Sequence, residues 1–309
     1  MNTQSNAIPE SPLESQVIAP PVMSATRPIY WSVRRELWEN RSIYIAPLAA
    51  AGVFLLGFLI STIHLPAKMR GLSALDPAQQ REEIAMPYNM AAGLIMVTAL
   101  IVGVFYTLDA LHGERRDRSI LFWKSLPVSD LTTLLSKASI PLVVIPLLAF
   151  TITVALQLIM LLLSTAVLMG SGLSFATLWT QLSFLQMSLL LLYHLLTVHA
   201  LGYAPIYGWL LLVSGWARRA AFLWAALPLL AIAILERIAF NTSYFAAMLE
   251  HRLTGGAEAV IAPGTLPMDP MTHLTPGHFL SDPGLWIGLA IFAVFLAAAV
   301  RLRRYQGPI

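Results

Sequence analysis

The sequence predicts an all-α membrane protein with six transmembrane helices. Three observations carry this. Only 11% of the 309 residues are charged and 57% are hydrophobic, against roughly 25% charged in a soluble domain; mean hydropathy is +0.71. The apolar residues fall into uncharged runs long enough to cross a bilayer core, which takes about 20 residues of helix. The alternation of apolar and polar residues that marks a membrane barrel is absent. Together these exclude an ordinary water-soluble enzyme and a disordered or fibrous chain. The absence of cysteine excludes disulfides, thiolate metal sites and cysteine nucleophiles.

Each span follows from its run. Ser42 to Ala67 is uncharged and gives span 1 at about 43–64; Ile84 to Leu108 lies at the heart of span 2, at about 87–111. No Asp, Glu, Lys or Arg occurs between Ala138 and Ala217. At about 1.5 Å per residue that run is far too long for one crossing. It must hold two spans, about 138–169 and 183–215, joined at the turn-type cluster Met169-Gly170-Ser171-Gly172-Leu173-Ser174. Spans 5 and 6 follow at about 219–240 and 283–301.

The basic residues orient the bundle. An even number of spans puts both termini on one side, and that side carries 14 of the 19 Lys and Arg. They lie before span 1, between spans 2 and 3, between spans 4 and 5, and at the C-terminal end. The positive-inside rule makes that side cytoplasmic. Residues 1–28, rich in Pro, Ser, Asn and Gln, contain no apolar core of a signal peptide and read as a flexible cytoplasmic tail.

Residues 29–42 read as an amphipathic helix in the membrane interface. Tyr30, Val33 and Leu37 share one face, with Trp31 and Trp38 beside it; Arg35, Glu36 and Glu39 lie opposite. Aromatics and arginines just before a span suit that position. Arg34 falls inside the apolar arc, where it either snorkels to lipid phosphate or pairs with an acid elsewhere. The helix is a simple anchor for span 1, or an anchor that also touches a cytosolic partner.

The loop between spans 2 and 3 is the most informative stretch. A charged run, Glu114-Arg115-Arg116-Asp117-Arg118, precedes a short helix, Ser119-Ile120-Leu121-Phe122-Trp123-Lys124-Ser125-Leu126, which Pro127 ends. Asp117 or Ser119 is its candidate N-cap, and Ser129 or Asp130 caps the next helix. Apolar side chains concentrated in a cytoplasmic loop need cover: the lipid interface, the protein's own helix ends, or another protein. In span 4, Gly202-Tyr203-Ala204-Pro205-Ile206-Tyr207-Gly208 places a proline between two glycines. That predicts a kink or break, serving as a hinge or a packing device. Span 3 carries Pro141 and Pro146 with the same two readings. Beyond span 5, Asn241 to Leu253 reads as a short helix, and the Pro- and Gly-rich stretch after it as a cap or a loose segment.

Much chemistry is missing. There is no GxxxxGK[ST] phosphate loop and no HExxH. His194 and His199 share span 4, but a spacing of five separates them around an α-helix, so no metal site is expected. Asp109 and Glu236 fall near opposite membrane faces and read as end charges, not as a midplane ion path. The chain thus shows no energy source of its own.

Two stretches, Arg35 to Leu48 and Glu114 to Asp130, resemble bacterial permease subunits of ABC-2 type ABC transporters. Tyr203 to Leu210, continuing through Trp216-Ala217-Arg218-Arg219, looks like the same group. The resemblance implies that residues 43–309 form a six-span permease domain in the bacterial inner membrane. It also implies a homodimer or paired permease, driven by a separate cytosolic ABC ATPase subunit that binds ATP and Mg. The segment Ser119 to Leu126 would be a coupling helix seated in a groove of that ATPase. Glu114, Arg115, Arg116 and Asp117 would be polar contacts, Leu121, Phe122, Trp123, Lys124, Leu126 and Pro127 part of the docking set, and Trp216 to Arg219 a smaller second contact. The chain would be a transport subunit and not an enzyme, with export the expected direction. The partners are then the ATPase, the paired permease and the bilayer, with no nucleic acid. The alternatives are an ATP-independent secondary transporter and a non-transporting membrane scaffold.

Overall fold

Long apolar runs become helices because a bilayer offers the backbone no water to bond with, so each segment must satisfy its own N–H and C=O groups. The computed structural model describes residues 26–72, 75–125, 128–254 and 280–305. Among these residues there is no strand, and six helical stretches are long and apolar enough to cross a membrane. The protein is a multi-pass membrane protein by that measure. The tail at 1–25 and the Pro- and Gly-rich stretch at 255–279 lie outside the described residues.

The helix α1 (Thr26–Glu39) leads, after Asn40 and Arg41, into α2 (Ser42–Ser61). A 3₁₀ turn (Thr62–His64) and α3 (Leu65–Leu72) prolong the first span. The second, α4 (Pro77–Asp109), starts with a proline at its first position, where the missing N–H costs nothing. It occupies the centre of the bundle. Its buried residues Ile84, Tyr88, Ala91, Ile95, Ala99, Val102 and Tyr106 recur every three or four positions, and that face meets α2 and α8. Two short helices follow, α5 (His112–Arg116) and α6 (Ile120–Ser125). The third span is α7 (Asp130–Ser139), a π-helical turn (Ile140–Val144) and α8 (Ile145–Gly170). Ser129 caps α7: its hydroxyl accepts from the Thr132 N–H at 3.1 Å. Gly172, at φ +70°, turns the chain at the predicted hairpin.

The fourth predicted span is interrupted. After α9 (Ala176–Gln181), α10 (Phe184–His194) passes into an eight-residue π-helical segment (Leu195–Gly202), and α11 (Ala204–Trp216) begins beyond it. In a π-helix the hydrogen bond reaches back five residues, as the Tyr203 N–H does to the Val198 carbonyl at 3.0 Å. Residues five apart then stack instead of diverging. This corrects the expectation for His194 and His199: their rings sit 6.1 Å apart, centroid to centroid. The two π-helical segments pack against each other. Pro141 lies in the first, and Pro205 opens α11.

The remaining helices are α12 (Ala221–Phe240), α13 (Tyr244–Thr254) and α14 (Pro283–Tyr305). Only Ala225 of α12 is buried, so this helix stands at the periphery. By contrast α14 lies tightly along α11, with Trp209 beside Phe295 at 5.7 Å. Gly208 permits that approach: a Cβ there would come within 2.7 Å of Phe292. The observed helices overrun most predicted bounds. The first three spans extend to Ser42–Leu72, Pro77–Arg116 and Asp130–Gly170, because polar residues continue a helix once the apolar core has started it.

Glu236 is an end charge, as expected, and its carboxylate caps α13. It accepts from the backbone N–H groups of Tyr244 and Phe245 at 2.7 and 2.8 Å. Arg252 of α13 donates to the carbonyl of Gly284, and the Tyr203 hydroxyl donates to the Leu253 carbonyl at 2.8 Å.

Candidate functional site

One end of the bundle gathers α1, the end of α4, α5, α6, both ends of α7 and the end of α14. This is the end that carries most of the arginines. Of these, α1, α5, α7 and α14 bring buried charges that the membrane interior would reject, and burial makes pairing obligatory.

Glu36 is 1% exposed. Its Oε1 accepts from Arg35 at 2.7 Å and Lys137 at 2.9 Å, and its Oε2 accepts from the Tyr106 hydroxyl at 3.0 Å. Glu114, also buried, lies 3.2 Å from Lys137 and 3.5 Å from Arg35, and its second oxygen accepts from Arg303. Arg303 in turn donates to Asp130 at 3.1 Å. Three carboxylates thus face three cations, a fourth, the more exposed Glu39, lies 3.5 Å from Arg35, and five helices contribute, counting α4 through Tyr106. Burial alone would raise the Glu36 carboxyl. Lys137, Arg35 and the Tyr106 hydroxyl outweigh it and hold the group below the ordinary carboxylate range.

Above this cluster sits the loop helix. The turn into it passes through Arg118 at φ +58°, a left-handed conformation that costs a non-glycine residue about 1 kcal/mol. Ser119 precedes α6 and turns its hydroxyl back to the Glu114 carbonyl at 3.4 Å, while Asp117 closes α5 instead of capping α6. The helix has two sides. Ile120 is buried, whereas Leu121 and Phe122 are 58% and 60% exposed. Trp123 meets Phe122 edge-on at 4.9 Å and carries the Arg35 guanidinium 3.7 Å above its ring. Lys124 and Ser125 are exposed.

The charged run ahead of α6 also divides. Arg116 and Asp117 are exposed and paired at 3.1 Å, and Asp109 lies 3.8 Å from Arg116. Glu114 and Arg115 turn inward. Arg115 donates to the carbonyls of Gly215 at 2.6 Å and Ala217 at 3.2 Å, and Ser214 accepts from the N–H groups of Leu111 and His112. The loop at Trp216 to Arg219 is thereby tied to the loop ahead of α6. Trp216 meets Trp224 edge-on at 4.8 Å, and Arg218 and Arg219 are exposed.

On α1, Arg35 and Glu36 belong to the ionic cluster, while Tyr30, Trp31 and Trp38 are exposed. Arg34 pairs with no acid among the described residues; it lies over the rings of Trp31 and Trp38. Gly202, Pro205 and Gly208 stand apart from this end of the bundle. Leu126 and Pro127 lie outside the described residues.

Sequence reasoning passed over Lys137, Arg303, Tyr106, Asp130 and Ser214 as site residues. One signal was available: Lys137 is the last charge before the long uncharged run. Compared with known proteins, the chain matches no family model, no curated protein and no solved structure.

Proposed function

We propose that this chain is the membrane-spanning permease subunit of an ABC transporter of the ABC-2 type, an exporter of the bacterial inner membrane. Its termini are cytoplasmic and it pairs with a second permease copy. A separate cytosolic ATPase, which holds ATP and Mg, docks on α6. The single observation that carries this reading is the outward pair Leu121 and Phe122. They form an apolar projection at the basic end of the bundle, on a short helix that follows directly on α5, which buried ion pairs fix in place. An apolar projection into the cytosol is stable only when something covers it; α6 is held to α1 by Trp123 against Arg35, and the preceding α5 is held to α7 and α14 by Glu114, which gives a load on this loop a path to all three. Arg116, Asp117 and Lys124 supply the polar rim. Glu114, Arg115 and Trp123 act from behind, holding the helix rather than touching the partner. Changing Leu121 and Phe122 to Ser should abolish co-purification of a phosphate-loop ATPase from native membranes while insertion stays intact. Undiminished co-purification would count against the reading.

One observation favours a second reading, an ATP-independent secondary transporter: the His194–His199 pair inside the membrane. Transport that survives His194→Ala and His199→Ala together excludes it.

A further inference from the structure

The tandem arginines of α1 have opposite fates. Arg35 is surrounded by the carboxylates of Glu36, Glu39 and Glu114. Arg34 has no carboxylate within ion-pair distance among the described residues. Its guanidinium lies 5.2 Å from the Trp31 ring centroid and 4.7 Å from that of Trp38. Trp31, Arg34 and Trp38 follow the i, i+3, i+7 spacing of one helix face. Glu36 projects about 200° further round the helix, into the buried cluster, and Val33 and Leu37 pack on the core. The cluster therefore locks the rotation of α1 and fixes which face it turns outward. Only Asn40 and Arg41 separate α1 from the apolar run of α2, so this face sits at headgroup depth. Tryptophan favours that depth, and a guanidinium there matches a phosphate in shape and charge.

We propose that the Trp31–Arg34–Trp38 face of α1 binds the headgroup phosphate of an anionic phospholipid. The indoles hold the guanidinium flat and extended by cation–π attraction, while its N–H groups donate to the phosphate and the acyl chains lie along Tyr30 and the α2 surface. The lipid supplies the counter-charge that Arg34 lacks. The inference uses only the membrane placement from the proposed function, not the docking of an ATPase.

The test is native mass spectrometry of the purified full chain in mild detergent, titrated with dioleoyl phosphatidylglycerol or dioleoyl phosphatidylcholine. Wild type should retain phosphatidylglycerol in preference. Arg34→Gln should weaken that retention roughly fivefold, the effect of one arginine at an anionic bilayer surface, and weaken phosphatidylcholine by less, because choline offsets the charge of its phosphate. Trp31→Leu with Trp38→Leu should also weaken it, although every charge remains. Arg34→Lys, which keeps the charge but not the planar stack, should fall between. Arg304→Gln, an exposed charge at the same end of the bundle, should have no effect. An equal loss in Arg304→Gln would mean diffuse charge and overturn the proposal, as would retention unchanged in Arg34→Gln. Displacement by inorganic phosphate would show an anion site without lipid and also overturn it. Loss of ATPase association in Arg34→Gln with lipid retention intact would make the face a protein contact, overturning this inference and leaving the proposed function standing.

Discussion

The guanidinium of Arg35 lies 3.7 Å from the centre of the Trp123 ring. Through this stack α1 grips the helix that carries Leu121 and Phe122, and the same guanidinium bonds Glu36 below. The outward apolar projection and the buried ionic cluster are therefore parts of one construction. Arg35 thus joins α6 to α1, and Glu114 of the preceding α5 joins the same loop to α7 and α14.

Lys137 sits between Glu36 and Glu114. Removing one partner of a buried ion pair costs about 3–5 kcal/mol, because the charge left behind stays buried. Lys137→Met should therefore lower the melting temperature in detergent sharply. Adding Glu36→Gln to that variant should recover part of the loss. A melting temperature unchanged in Lys137→Met would mean that the cluster is not what secures this end of the bundle.

Acid should loosen the same end. The folded-state pKa of Glu36 is depressed relative to an unfolded value of about 4.3. Its stabilising contribution is thus complete above that ordinary value and is lost as pH falls through the folded value. Melting temperature should hold steady from pH 7 to about 5 and then fall, and Glu36→Gln should flatten part of that fall. Thermal scans across pH, wild type against variant, measure the difference.

Gly208 is a packing position. A Cβ there would lie 2.7 Å from the Phe292 side chain and 3.4 Å from the Phe292 backbone. Gly208→Val should force α11 and α14 apart and cost about 1–3 kcal/mol, read as a lower melting temperature. Trimming Phe292 to Ala in the same chain should relieve the clash. A Gly208→Val protein as stable as wild type would show that the two helices have room to part.

The spans were legible because charge is costly in long stretches of lipid, so its absence marks them directly: one from Ser42 to Ala67 and two from Ala138 to Ala217. The Ser129 cap was legible because capping depends on neighbours only three residues away. The ionic cluster was not. Lys137 meets Glu36 across 101 positions and Arg303 meets Glu114 across 189, and no local pattern encodes such distant pairs. The sidedness of α6 was hidden too, because six residues are too few to fix a helical phase. The π-helical segment at Leu195–Gly202 has the composition of any apolar helix, and so the spacing of His194 and His199 was read with the wrong period.

The most direct measurement uses the absence of cysteine from the chain. In Phe122→Cys the single thiol can carry a benzophenone and be illuminated in native membranes. The account predicts one dominant crosslinked product, containing a phosphate-loop ATPase and lost when the label is moved to Leu158, an exposed residue midway along α8. Crosslinks from position 122 to lipid or to the chain itself, with no ATPase among the products, would contradict it.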